Sequence, residues 1–464
     1  METRILGLAI VAATLATPAR AIDIGVNTHR GGTAATNDQV AAVMKQRNLK
    51  TSRMDLIGGQ DQSAFRDQVQ KIRANGGTVE VALQISYQWD NSCNPNLAGV
   101  EQDAYNQAAA AVNGVKDIVH DFELLNETQL RPEIMREVPW NSAGTATAPY
   151  QGKPCVATLT AVLRGMSRAI RDIRASSGVP LRTILGEVGR DFGFLAFMQQ
   201  NGVLFDVVGW HVYPHANTAS MLTDPWFGTG GPLAQLAKFG KPVHVNEFNC
   251  GEIYDAGYEN SAGAPVTEAC LKAFAKHLKD LRAQTIANIE SVHVYELLDE
   301  PTKAAPENRF GLMYNLSTPK LHLALASAFA GGALSAAERL AITSRGLLTD
   351  AEITAMQQTV ASAPPPPTAP VDTQAPLVGM TGPAAGSVFA PGATIWASAV
   401  ASDNAGVKQV RFTVNGSSCV ATSPPFNCQL TLPNRKHWSG NVQAQATDAA
   451  GNVASDTVRI STTR

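Results

Sequence analysis

Two glutamates carry the strongest chemical signal in the chain. Glu127 and Glu247 each follow an asparagine, as Asn126-Glu127 and Asn246-Glu247, at the end of an apolar, strand-like run. A pair of carboxyl groups flanking a glycosidic bond can cleave it. One, protonated, helps the leaving oxygen depart; the other, ionised, attacks the sugar carbon or activates water. When the two lie about 5–5.5 Å apart, the ionised group attacks directly and configuration is retained. Each glutamate ends a run that should be buried, which argues against ordinary surface carboxylates.

Such a pair needs a frame that brings distant residues together. Between residues 22 and 297, short β-branched runs alternate with helical patterns. Eight strands are expected at 22–27, 51–55, 78–85, 118–125, 182–187, 207–212, 242–247 and 291–297. Helical patterns such as 63–74, 159–175 and 267–285 lie between them. Strand–helix repetition implies a parallel sheet, and eight units imply a closed (β/α)8 TIM barrel rather than an open doubly wound sheet. Barrel chemistry sits at the C-terminal strand ends. Those ends present Asn27 and His29, Arg53 and Asp55, Tyr87 and Trp89, Asn126 and Glu127, Glu187, His211 and Tyr213, Asn246 and Glu247, and finally Tyr295, Glu296 and Asp299.

Taken in order, these marks resemble a clan A retaining glycoside hydrolase, nearest to family 39, with family 5 close behind. The resemblance covers roughly residues 22–330. It implies that Glu127, in the Asn-Glu of strand four, is the acid/base, and that Glu247, ending strand seven, is the nucleophile. Arg53 matches an arginine beside the nucleophile. His211 and Tyr213 match a His-x-Tyr on strand six that binds near the nucleophile and the reacting sugar. Gly311-Leu312-Met313-Tyr314-Asn315 and Pro319-Lys320 resemble the segment after strand eight. One departure stands out: many clan members carry a tryptophan near the end of strand eight, where this chain has Tyr295-Glu296.

The residue types suit those roles. An always-charged Arg53 should keep Glu247 ionised. Tyr213 could donate to Glu247, and Asn126 could bond a sugar hydroxyl beside the scissile carbon. Ionised Glu247 nearby would raise the pKa of Glu127. Tyr295 or Glu296 could contact the sugar, as could Asn27, His29 and the aromatic faces of Trp89 and Trp140. Taken alone, His211 could equally be a structural histidine. Glu187, Glu296 and Asp299 could be rim salt-bridge partners. No metal or organic cofactor is called for.

The remaining features bound the setting. The chain has 464 residues, 44% hydrophobic and 16% charged, with a net charge of −2. That balance allows two domains and argues against a nucleic-acid partner. Residues 1–21 read as a signal peptide, with Arg4, an apolar run from Ile5 to Leu15, and Ala19-Arg20-Ala21. No later stretch suits a membrane span. A secreted or periplasmic bacterial protein is expected. Six cysteines then suggest disulfides: proximity pairs Cys419 with Cys428 and Cys250 with Cys270, and Cys93 and Cys155 remain for each other. No CxxC spacing favours zinc.

Residues 22–333 should form the barrel and 334–360 a short helical segment. Capping-box patterns at Ser335–Glu338 and Thr349–Glu352 support that segment. Residues 361–374 are a Pro-rich linker. Residues 375–464 read as an all-β immunoglobulin-like sandwich, with Trp396 and Trp438 in its core. Two stretches there, 402–407 and 446–452, resemble bacterial Ig-like modules. The expected partner is a carbohydrate substrate. The rival reading is a non-catalytic carbohydrate-binding or matrix-adhesion protein on the same barrel and sandwich.

Overall fold

Eight parallel strands close into a barrel, each sheet neighbour being also the sequence neighbour, with the last strand pairing the first. The computed structural model describes residues 22–28, 36–86, 93, 96–214, 218, 220–250, 264–304, 307–362, 374–403, 407–422, 425–448 and 451–463. The expected signal segment, His29, Tyr87, Trp89 and most of the Pro-rich linker lie outside the described residues.

The barrel strands are β1 (Asp23–Asn27), β2 (Thr51–Ile57), β3 (Thr78–Gln84), β4 (Asp121–Leu124), β5 (Arg182–Val188), β6 (Val207–Val212), β7 (Val243–Phe248) and β8 (Ile289–Val294). Two differ noticeably from expectation. The fourth begins at Asp121 rather than 118, because residues 114–118 still form turns that cap the preceding helix. The eighth ends at Val294, before Tyr295, where the chain leaves the sheet. The open-sheet alternative fails on the β1–β8 pairing, which runs from Asp23–Ser291 to Val26–Val294.

Alternation decides what each strand offers. On β4, Phe122 and Leu124 face the helices, while Glu123 between them faces the barrel axis and meets side chains of β2, β6 and β7. The helices supply the outer apolar layer. The longest, spanning Pro154–Ser177, starts on a proline, ends on left-handed Gly178 and buries the face containing Leu159, Val162, Met166, Ile170 and Ile173. The helices Ala336–Ser344 and Asp350–Ser362 follow the barrel, and Ser335 with Glu338 closes the expected capping box. Ile342, Ile353 and Met356 of these helices, and Leu347 between them, join the barrel's apolar core. This segment therefore packs on the barrel.

The C-terminal part is all-β, in two sheets of three and five strands. Its core is separate, formed by Ile395, Ala397, Val410, Phe412, Leu430, Val442 and Ile460 among others. Trp438 packs against it, but Trp396 does not: it is 60% exposed. Strand alternation is the reason, since Ile395 and Ala397 take the inward positions on either side. The three disulfides are Cys93–Cys155, Cys250–Cys270 and Cys419–Cys428, as expected.

Phe122 is completely buried between strand and helix layers. Replacing it with alanine should destabilise the barrel by roughly 3–5 kcal/mol. Urea unfolding followed by tryptophan fluorescence measures this.

Candidate active site

The site is built around one buried cation. Arg53, on β2, points into the barrel mouth and spends its guanidinium on four partners. Nε donates to Glu123 at 2.6 Å, Nη1 to Asn27 at 3.0 Å and to Glu247 at 2.9 Å, and Nη2 to Asn126 at 2.7 Å. Burial opposes its charge, but Glu123 and Glu247 more than compensate and hold its pKa well above the usual arginine value. Burial likewise pushes Glu123 up, and Arg53 with His211 overturns that, so its pKa is lowered.

Two local irregularities aim the carboxylates. A strictly alternating β7 would send Asn246 and Glu247 to opposite faces. The register between β6 and β7 instead shifts, so that Trp210 faces Val245 and His211 faces Glu247. The bulge turns Glu247 toward the mouth, and the Asn246 side chain accepts from the Trp210 backbone N–H at 3.2 Å. After β4, Leu125 and Glu127 both take left-handed φ values, 63° and 46°. These bends bring Asn126 and Glu127 to the same opening.

At that opening Tyr213 donates to Glu247 at 2.6 Å. His211 Nδ1 lies 3.2 Å from Glu127 and 3.5 Å from Glu247, and Nε2 lies 3.3 Å from Glu123. Burial disfavours the imidazolium, but these three carboxyl groups raise its pKa to about 10. One oxygen each of Glu127 and Glu247 and a His211 nitrogen all lie within 4.8 Å of one another. Two carboxylates and a histidine could in principle hold a metal. Here the imidazolium and Arg53 already supply positive charge, which disfavours a third cation.

Two glycines make room for the buried network. A Cβ on Gly186 would sit 2.6 Å from a Glu123 oxygen, and one on Gly209 would sit 2.7 Å from the Asn246 oxygen.

The other expected residues divide. Asn27 is buried, accepts from Arg53 and donates to the Asn246 carbonyl at 2.9 Å; it positions the arginine and lines neither of the two cavities at the mouth. Tyr295 lines the mouth and accepts a hydrogen bond from Lys303 at 3.0 Å. Glu296 is buried and does not line it; burial and Glu300 push its pKa to about 9. Glu187 is fully buried rather than on the rim, and burial and Asp191 raise its pKa. Asp299 pairs with Lys320 at 2.6 Å.

Glu123 was missed from the sequence, as were Glu300, Lys303 and Glu307. Glu123 left one usable signal, a carboxylate at an inward position of an apolar strand. The other three sit in the β8 loop, where no period applies.

The mouth opens into two cavities. A polar one of about 670 Å³ is lined by Arg53, Asp55, Gln60, Asn126, Glu127, Tyr213, Glu247, Tyr295, Glu300 and Lys303, among others. A more apolar one of about 880 Å³ continues from Glu127 along Trp140, Val188, Tyr213, Trp226 and Phe227.

Residues 376–439 match the bacterial Ig domain family. No curated protein matches the chain. Solved structures similar to it include an endo-β-1,4-mannanase from Thermotoga petrophila, at 12% identity over 96% of this chain and 99% of that one, with a TM-score of 0.36. A rice β-glucosidase is similar at 13% identity over 67% and 98%, with a TM-score of 0.44. A psychrophilic glycoside hydrolase family 10 endo-β-1,4-xylanase is similar at 14% identity over 66% and 96%, with a TM-score of 0.45.

Because the folded state raises the His211 pKa, its stabilising charge is fully present below about pH 6.5 and lost as pH rises through about 10. Melting temperature should therefore fall between those values more steeply in the wild type than in His211→Asn, as differential scanning fluorimetry across pH would read. Gly186→Ala should push Glu123 off His211. The expected result is a lower melting temperature with an unchanged far-ultraviolet circular dichroism spectrum.

Proposed function

We propose that this chain is a secreted retaining glycoside hydrolase that cleaves β-glycosidic bonds in a polysaccharide or oligosaccharide by double displacement. The observation that carries this reading is the carboxyl pair at the barrel mouth. An oxygen of Glu127 and one of Glu247 lie within 4.8 Å of each other, short of the roughly 6.5–9.5 Å that leaves room for a water between the carboxyl groups, which supports direct attack by one of them.

The surroundings divide the two roles. Glu247 receives Arg53 on one oxygen and Tyr213 on the other, which fixes its orientation and favours the anion that attacks the anomeric carbon. Glu127 is more exposed and stands at the junction of the two cavities, where a leaving oxygen can reach it. It gives its proton to that oxygen as the glycosidic bond breaks, and Glu247 becomes a glycosyl ester. Glu127 then takes a proton from water, which attacks the anomeric carbon and releases Glu247.

The Asn126 oxygen is taken by Arg53, which leaves its amide nitrogen for a sugar hydroxyl in the polar cavity.

A family 39-like placement rests on the order of the strand marks. Secretion is supported by three disulfides, which suit an oxidising compartment, together with the signal-like N-terminus. Among the described residues no helix is long and apolar enough to cross a membrane.

Glu247→Ala should fold and lose turnover by several orders of magnitude. With an activated aryl β-glycoside, azide should restore activity and yield the α-glycosyl azide, the anomer formed when azide enters from the vacated face opposite the leaving group. An α-azide from the Glu127→Ala variant instead, or full activity in Glu247→Ala, would falsify the assignment.

A further inference from the structure

Glu127 lines both cavities, whereas Glu247 lines only the polar one. In double displacement the anomeric carbon faces the nucleophile and the departing oxygen faces the acid. A substrate must then cross from one cavity to the other at Glu127. The sugar that becomes bonded to Glu247 occupies the polar cavity, and the departing part enters the apolar one.

We propose that the apolar cavity is the leaving-group site, that its occupant is a sugar ring of a β-linked chain, and that Trp140 and Trp226 are the surfaces on which it lies. This rests on the glycosidase reading above.

The two tryptophans are unusual for their exposure. They are 49% and 47% exposed, come from the loops after β4 and β6, and line the same cavity. Large apolar faces left open together mark a binding surface. The C–H face of a pyranose complements such a ring.

Both indoles are held in place before any ligand arrives. The Trp140 Nε1 donates to the Val188 carbonyl at 3.3 Å. Arg190, in the loop after β5, ties the two loops together. Its guanidinium lies 4.9 Å from the Trp226 ring centre, and Nη1 donates to the Trp226 carbonyl at 3.1 Å. Nε and Nη2 donate to the Asn141 carbonyl at 3.0 and 2.8 Å. Behind it, Trp226 meets Phe227 edge-on at 4.7 Å, and Phe227 meets buried Trp210 edge-on at 5.9 Å. A surface so braced loses little entropy on binding.

The rim selects a sugar over a purely apolar group. Asn141, Thr218, Asp224 and Glu307 line the same cavity and offer hydrogen bonds to hydroxyls. Arg190 is therefore a positioning residue, and the tryptophans are the contact.

The test uses the full chain and β-linked gluco-, manno- and xylo-oligosaccharides of four to six units. Hydrolysis is followed on the wild type, and acrylamide quenching of tryptophan fluorescence on Glu247→Gln. An oligosaccharide that is cleaved should also shield tryptophan, and the shielding should shrink in Trp140→Phe and Trp226→Phe, which keep a packing ring. For Trp140→Ala with Trp226→Ala, kcat/KM on that oligosaccharide should fall at least about tenfold more than on the 2,4-dinitrophenyl β-glycoside of the same sugar. Arg190→Lys should raise KM for the oligosaccharide more than it lowers kcat.

Hydrolysis without shielding, or equal losses on both substrates, overturns the leaving-group site alone. Shielding without hydrolysis keeps the cavity as a sugar site and overturns the glycosidase reading. Neither hydrolysis nor shielding with any of the oligosaccharides overturns both.

Discussion

A fully buried arginine cannot stand alone, and much of this barrel is arranged to satisfy one. Removing a guanidinium from water costs several kcal/mol unless good partners replace the solvent. Arg53 meets that demand with Glu123, Asn27, Asn126 and Glu247, drawn from three different strands and their ends. The same bonds orient the proposed nucleophile and the asparagine beside the proposed acid. Satisfying the cation and assembling the site are thus one act of folding.

The network continues down the barrel axis. Asn246 bridges Glu123 and Glu80, and His244 bridges Glu80 and Glu290. Arg182 closes it on Glu290 and Asp121, at 2.7 and 2.6 Å. Barrel interiors are usually packed with branched apolar side chains. Here charged and amide groups take inward positions, and the apolar core lies between strands and helices. Each buried polar group in such an interior depends on its neighbours, so the mouth inherits the rigidity of the network beneath it. Gly186 and Gly209 belong to this scheme, since each leaves the volume that a polar side chain fills.

Above the network the opening is asymmetric. The polar side is bounded by the ends of β2 and β8, and the apolar side by the loops after β4, β5 and β6. Glu127 stands between them on a left-handed residue that no strand would provide. That position separates a carboxyl group reachable from both sides from one gripped by Arg53 and Tyr213.

Much of this was legible in the sequence. Eight strand–helix units, the order of the strand-end residues and the two Asn-Glu pairs are properties of periodicity and composition, and periodicity survives folding because the apolar faces must be buried. Proximity along the chain was enough for Cys250–Cys270 and Cys419–Cys428, and the two cysteines left over form Cys93–Cys155. Pairwise contact across the barrel is another matter. Nothing local distinguishes Glu123 on β4, gripped by Arg53 and His211, from Glu187 near the end of β5, which is buried with neither cation bonded to it. Asn27 and Glu296 looked like sugar contacts because they end strands, yet one serves the arginine and the other is buried behind the cavity. The loop after β8, with Glu300 and Lys303, carries no period to read. By itself the sequence determined which carboxylates the barrel could present and on which strands. The bulge at Asn246, the left-handed bends at Leu125 and Glu127, and the division of the mouth into two cavities were decided only in three dimensions, because they arise where strands of unequal register must share one closed ring.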